Sequence, residues 1–266
     1  MASGCGDANA FFPLPFIYAA ADRYAMNDVR VELDRRLVRL EAKGAEVLNE
    51  SGPWPGVAEL LLFQPGRKAA GRTGRAWPRT ALMRGLDWAC LADRWPDTRL
   101  YASVRGGSTD APHTHQDLTD IRVVVGEEAL ITSVSMDYID TTFSNRRFEL
   151  YENAAASKNV LMVNGVGLPH PGALKTSLVK GRNWEGVAMD ATEVQQAGTP
   201  LRACGRTVLM LAKGKALLVI DRVTAAHAAC MEARFHTFGR VRSGKDAAAI
   251  RGRRESLHLS FAASVP

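Results

Sequence analysis

The apolar residues of this chain change their period near Trp88, and that change constrains the fold more than any other feature. Before it, Val29, Leu33, Leu37 and Leu40 recur at the spacing that lines one face of an α-helix, with Asp28 placed to cap the start and Gly44 to end it. The pattern predicts a helix over residues 29–43, another near 16–26, and a short one over 57–63 closed by Pro65-Gly66. After it come short alternating runs separated by turn residues, which is how an antiparallel sandwich is written. Residues 88–94 and 99–105 flank Trp95-Pro96-Asp97-Thr98, and 121–125 and 129–134 flank Gly126-Glu127-Glu128. A third hairpin joins 207–212 to 217–221 across Lys213-Gly214-Lys215, a fourth follows over 230–238, and a run over 160–163 is stopped by the turn dipeptide Asn164-Gly165. The last run, 256–262, has no partner strand in view. The fold class expected is mainly β: an antiparallel β-sandwich over residues 85–266, preceded by a short α-helical segment and linker over 1–84. The Arg/Gly-rich stretch 66–79 is the linker.

Composition narrows the class further. With 46% apolar and 23% charged residues the chain has the balance of a globular protein, which excludes a long disordered or fibrous one. The longest apolar stretch, residues 10–21, is interrupted by Pro13 and Pro15 and falls well short of the roughly 20 residues that span a bilayer. Its first residues, MASGCGDANA, lack the basic start and apolar run of a secretory signal. The net charge of +6 is spread along the chain, and only 67–79, with Arg67, Lys68, Arg72, Arg75 and Arg79, forms a basic cluster. That reads as a solvated loop, and the distribution speaks against a nucleic-acid stripe. Cys5, Cys90, Cys204 and Cys230 show no CxxC spacing, so buried free thiols are expected in place of a metal knuckle or redox pair.

Two of the six histidines sit together in His113-Thr114-His115-Gln116-Asp117, inside a polar loop just before a strand. Two imidazoles and a carboxylate so close can converge on one metal, or one imidazole can face a substrate while the carboxylate holds the other; a solvated loop is the plainer alternative. His170, His227 and His258 read as structural, and His236 as a sheet histidine between Phe235 and Phe238. A second polar concentration follows, with Tyr138, Asp140, Asn145, Arg146, Arg147, Glu149, Tyr151, Asn153, Lys158 and Asn159. Long ordered loops of this kind often build a site on a sandwich, or else cover a sheet edge.

In order, the segments GGSTDAPHTHQDLTDIRVVVGEEALITS, YENAAASKNVLMVNGVG, RTVLMLAKGKALLVIDRV and RFHTFG resemble the C-terminal half of the heparinase II/III-like polysaccharide lyases, a group that includes alginate lyases. The resemblance covers roughly residues 85–266, and residues 1–70 are similar to the last helices of the α/α toroid that precedes the sandwich there. Members are several hundred residues longer, so the resemblance implies a piece cut at both ends, with the sandwich truncated at its C-terminus. It also implies a cleft between toroid and sandwich, and a periplasmic or secreted parent.

Carried over residue by residue, the resemblance makes His113 a catalytic residue facing the substrate and His115 a zinc ligand. The other zinc-ligand places of that family read Ser133 and Lys158 here, so the metal site is incomplete and no cofactor is expected. Lys158 then supplies positive charge in the metal's place, Tyr151 matches a cleft tyrosine, and Asn159 and Arg146 join Lys158 as substrate-binding residues. The implied chemistry is β-elimination at a uronic acid: cations neutralise the carboxylate, a base removes the C5 proton and an acid protonates the leaving O4. The implied partner is an acidic polysaccharide or oligosaccharide. Residues 1–112 hold Tyr18, Tyr24 and Tyr101 and no histidine, so the family's toroid tyrosine and Asn/His pair find no match. The isolated chain is therefore expected to be an incomplete lyase, the alternative being a non-catalytic carbohydrate-binding or structural sandwich derived from one.

Overall fold

A computed structural model describes residues 14–41, 77–95, 97–111, 113–134, 144–194, 201–212 and 214–264. The chain divides into two compact units, one running mainly over Ala8–Trp77 and the other over Pro78–Pro266.

In the first unit, helices α1 (Leu14–Arg23) and α2 (Asn27–Glu41) appear where the apolar spacing places them. Tyr18, Ala21 and Leu33 are buried between them, with Ile17 and Val29 packed alongside. Asp28 stands in the first turn of α2, where the exposed amides favour a negative charge. Arg30 is buried, so its guanidinium is paired: Nη1 donates to Asp22 at 2.7 Å, and the group lies 4.3 Å over the Tyr18 ring. The Tyr18 hydroxyl donates to Asp34 at 2.9 Å. The expected helix over 57–63 and the linker, apart from residues 77–79, lie outside the described residues.

The second unit is antiparallel throughout. A five-stranded sheet runs in the order β1 (Thr80–Met83), β2 (Trp88–Ala92), β3 (Leu100–Val104), β5 (Ile121–Val125) and β6 (Glu128–Ile131), and the short β4 (Gly107–Ser108) pairs with β8 (Ala173–Leu174). A four-stranded sheet runs in the order β12 (Ala216–Ala225), β11 (Leu201–Leu211), β10 (Trp184–Asp190) and β9 (Thr176–Lys180). Ala89, Leu91, Ala102, Val104, Ile121 and Val123 from the first sheet share one buried cluster with Val187, Met189, Cys204, Val208 and Met210 from the second. Period-two alternation explains the arrangement, since each strand turns alternate side chains onto the common core.

Three of the four predicted hairpins form, and the third is longer than its apolar run, with Leu201 paired to Ala225 at its far end. Strand β7 (Leu161–Val163) stops at Asn164-Gly165, whose φ angles of 52° and 76° are the left-handed values that such a turn requires. Two expectations are corrected. The hairpin expected over 230–238 does not form: that segment contributes only β13 (Met231–Ala233), which pairs with β7. The final run does have a partner: β16 (Ser256–Ser260) pairs with β15 (Ala247–Arg251), which pairs in turn with β14 (Arg240–Ser243). That partner was hidden because Ala247-Ala248-Ala249 has weak strand propensity.

Candidate functional site

Two polar loops laced together build the candidate site. One leads from β4 to β5 and carries His113, His115, Asp117 and Asp120; the other is the described stretch 144–160 before β7. Arg147 donates to the Thr114 carbonyl at 2.9 Å, the Gln116 amide donates to the Asn153 carbonyl at 3.0 Å, and the Ala155 amide donates to Gln116 Oε1 at 3.1 Å. The Asn153 side chain, fully buried, donates back to the Arg147 carbonyl at 3.0 Å. Such cross-bonding satisfies backbone groups that no ladder reaches, so the loops are fixed without being strands.

His113 is exposed and held in the left-handed region at φ 65°, whereas His115, two residues on, is buried. Lys158 meets His115, its ammonium donating to Nδ1 at 2.9 Å and also to the Glu152 carbonyl. An ammonium can only donate, so His115 accepts at Nδ1 and, as a neutral ring, carries its proton on Nε2. Lys158 and Asn159 are both buried, so their polar groups act inside the protein. Arg146 is exposed and forms a forked pair with Glu149, with Nη2 at 2.6 Å and Nε at 2.9 Å from Oε2. The forked hydrogen bonds, with the attraction of opposite charges, hold the Glu149 carboxyl below its ordinary range and the Arg146 guanidinium above its own.

Beneath the loops lies a buried frame. Period-two alternation on β11 turns Arg206 inward with Cys204, Val208 and Met210. A charge there has to be paired. Its register partner on β12, Asp221, takes both Nε at 2.6 Å and Nη2 at 2.8 Å, while Nη1 donates to the carbonyls of Asn159 at 2.5 Å and Thr119 at 3.0 Å. Asp120 accepts from the Asn159 amide at 2.7 Å and from the Ser133 hydroxyl at 2.6 Å. Asn159 Oδ1 accepts from the His236 amide at 2.6 Å. Asp117 is buried beside Arg105, whose Nε stands 3.6 Å away and whose guanidinium lies 4.8 Å over the Trp88 ring. Burial pushes the Asp117 carboxyl up to about 6, with Asp120 adding to the rise and Arg105 and Lys158 opposing it.

Tyr151 is half exposed, and its phenol oxygen lies 3.1 Å from His236 Nε2, the two rings meeting edge to face at 6.4 Å between centroids. Burial lowers the pKa of His236; Arg234 and Lys158 push the same way, while Asp120 and the Ala156 backbone oppose. This pairing joins residues 85 apart in sequence, and no spacing signal connects them. His236 is the functional candidate that the sequence pattern missed, because alternation with phenylalanines reads as a core position. Tyr138 and Asp140 lie outside the described residues.

The donor set does not fit a zinc ion. The Nδ1 lone pair of His115 is taken by an ammonium, and Ser133 is hydrogen-bonded to Asp120. Among the described residues no three His, Cys, Asp or Glu side chains converge as metal ligands. Among them, too, no helix is long and apolar enough to cross a membrane.

Solved structures that share this fold include heparan sulfate lyases and heparinases. Heparan sulfate lyase HepC from Pedobacter heparinus is similar over 94% of this chain, with a TM-score of 0.59 and 11% identity. A heparinase III, the BT4657 gene product, matches over 92% with a TM-score of 0.57 and 10% identity, and a further heparinase III over 85% with 0.56 and 13%. The chain spans about a third of the length of these enzymes: 34%, 33% and 34%. No protein-family model matches the chain, and no curated protein sequence does.

Proposed function

We propose that this chain carries the sandwich part of a polysaccharide lyase that acts on a uronic-acid-containing, glycosaminoglycan-type chain by β-elimination. The observation that carries this is the exposed Tyr151 phenol in hydrogen-bond contact with an imidazole, on a segment braced from below by the buried Lys158, in a fold shared with heparan sulfate lyases. In this role Tyr151 exchanges protons with the sugar, and His113 meets the substrate from the neighbouring loop. Arg146, exposed on the same loop as Tyr151, reaches the uronate carboxylate by exchanging Glu149, which holds its fork in this structure, for the planar anion of the sugar. Lys158 and Asn159 act from inside, placing positive charge under the site and holding His115 and His236. No metal enters the scheme.

The test is to titrate the protein with heparan sulfate, hyaluronan and alginate oligosaccharides while following the ultraviolet absorbance of the unsaturated uronate product. The expected result is weak binding that Arg146→Ala reduces, with little turnover, since loss of a partner acid or base typically costs about 10²- to 10⁴-fold. Binding without product, unaffected by Tyr151→Phe, selects the non-catalytic carbohydrate-binding sandwich. Neither binding nor product with any of the three overturns the proposal. Robust turnover abolished by His113→Ala shows a complete site on this chain and removes the incompleteness from it.

A further inference from the structure

Tyr151 has a neighbour whose placement decides which way its proton moves. The phenol oxygen and His236 Nε2 are 3.1 Å apart, and either atom can in principle donate. An imidazole nitrogen is a stronger acceptor than a phenol oxygen, so the phenol donates and Nε2 accepts; the single proton of the neutral ring is then on Nδ1, which is buried. With Nδ1 protonated in the neutral ring, Nε2 is left as an acceptor aimed at the Tyr151 hydroxyl.

We propose that His236 is the positioning residue that accepts the Tyr151 phenol proton and so makes Tyr151 the base of the site. Its part in elimination rests on the lyase reading above; the contact itself does not. The groups around the ring keep it in the accepting form. Burial, Arg234 and Lys158 disfavour an imidazolium, and Asp120 and the Ala156 backbone only partly offset them. Its backbone is fixed independently of the ring, since its amide donates to Asn159 Oδ1 at 2.6 Å and its carbonyl accepts from the Thr132 amide at 3.0 Å. Direction and distance of the imidazole are therefore set by the buried frame, and replacing the ring leaves both backbone bonds in place.

The proton ledger closes without a further reactant. The Tyr151 O–H proton passes to His236 Nε2, giving phenolate and imidazolium. The phenolate takes the C5 proton of the uronate, the C5 electron pair forms the C4=C5 double bond, and the C4–O4 bond breaks. The re-formed phenol gives its proton to O4, and the imidazolium returns its own to the phenolate. Net, one proton moves from C5 to O4.

The experiment reads the phenol directly, so that it does not depend on turnover. N-acetylimidazole acetylates tyrosines through the phenolate, and the rate at each tyrosine is followed by peptide mass spectrometry. Tyr24, exposed in the helical unit, serves as the internal control. In His236→Gln, whose amide can hold a hydrogen bond but cannot take a proton, acetylation of Tyr151 is expected to slow by about 10²-fold, the low end for a positioned general base, with Tyr24 unchanged. Unchanged acetylation of Tyr151 overturns the proposal, whatever the glycan assay gives. A second measurement uses the unaltered protein: ¹⁵N spectra of histidine-labelled chain should show His236 Nε2 unprotonated and shifting in Tyr151→Phe. A proton on Nε2 at neutral pH overturns it as well. If acetylation and spectra behave as expected and no uronate-containing glycan binds or is cleaved, the proton contact stands and the lyase reading fails.

Discussion

Lys158 places its ammonium 2.9 Å from Nδ1 of His115, and both side chains are buried. The same ammonium donates to the carbonyl of Glu152, one residue after Tyr151, so a single buried cation ties the first loop to the segment that presents the phenol. Asn159, the next residue, ties that segment to His236. The buried imidazole of His115 and the half-buried one of His236 are thus held by adjacent residues of one short stretch.

Replacing Lys158 by Met keeps the apolar stem and removes the donor. His115 Nδ1 and the Glu152 carbonyl then lose a charged partner in a buried place. The expected loss of stability is about 1–3 kcal/mol, measured by chemical denaturation. ¹⁵N spectra should show His115 losing its fixed tautomer in the same variant. A variant as stable as the parent, with the His115 spectrum unmoved, would show that the contact contributes nothing.

Zinc is not expected to bind tightly. A structural site needs four donors, and here the second histidine of the HxH pair faces a lysine, while Ser133 is committed to Asp120. Metal analysis after dialysis should find zinc far below one per chain. Stoichiometric zinc would contradict the geometry.

Asp117 makes stability depend on pH. Its carboxyl is raised by burial from the ordinary 3.8 to about 6, so in the interval between these values the folded protein holds a proton that the unfolded chain has released. Stability from this group is full below the unfolded value and is lost as pH rises through about 6. The difference amounts to about 3 kcal/mol across the window. Asp117→Asn removes the titration, so the variant should gain on the parent by about that amount between about pH 4 and pH 8. Parallel pH profiles for the two proteins would rule the buried carboxyl out as the source.

How much of this was legible in the sequence depends on how far apart the cooperating residues lie. The sandwich hairpins that form were readable because each is local: Val124 pairs with Ala129 and Val125 with Glu128 around the two-residue turn Gly126-Glu127, with apolar residues on both sides. Strand β1 was not, since Thr80–Met83 precedes the change of period and gains its partner only by pairing with β2. The HxH cluster marked one of the two interlaced loops, but its two histidines have opposite environments, and nothing in the spacing tells which one turns inward. Arg206 lay just outside the run read over 207–212, although alternation along the longer β11 puts it inside. Buried charge, the signal that would have singled it out, exists only once the sheet is assembled.

Arg206 also carries the most severe expected variant. Its guanidinium satisfies the Asp221 carboxylate and the carbonyls of Thr119 and Asn159, three elements joined by one side chain with almost no solvent access. Arg206→Met fills much of the volume and leaves all three acceptors without that donor. Removing one partner of a buried pair typically costs about 3–5 kcal/mol, well above the effect of losing one neutral hydrogen bond. Adding Asp221→Leu should recover part of the loss, because the unpaired carboxylate goes with it, though the two carbonyls remain unmet. Denaturation of the two single variants and the double variant measures this as a coupling. If Arg206→Met is destabilised by less than about 1 kcal/mol, the frame does not depend on the arginine. A large loss with no recovery in the double variant assigns the penalty to the Thr119 and Asn159 carbonyls, the second of which belongs to the residue that anchors His236.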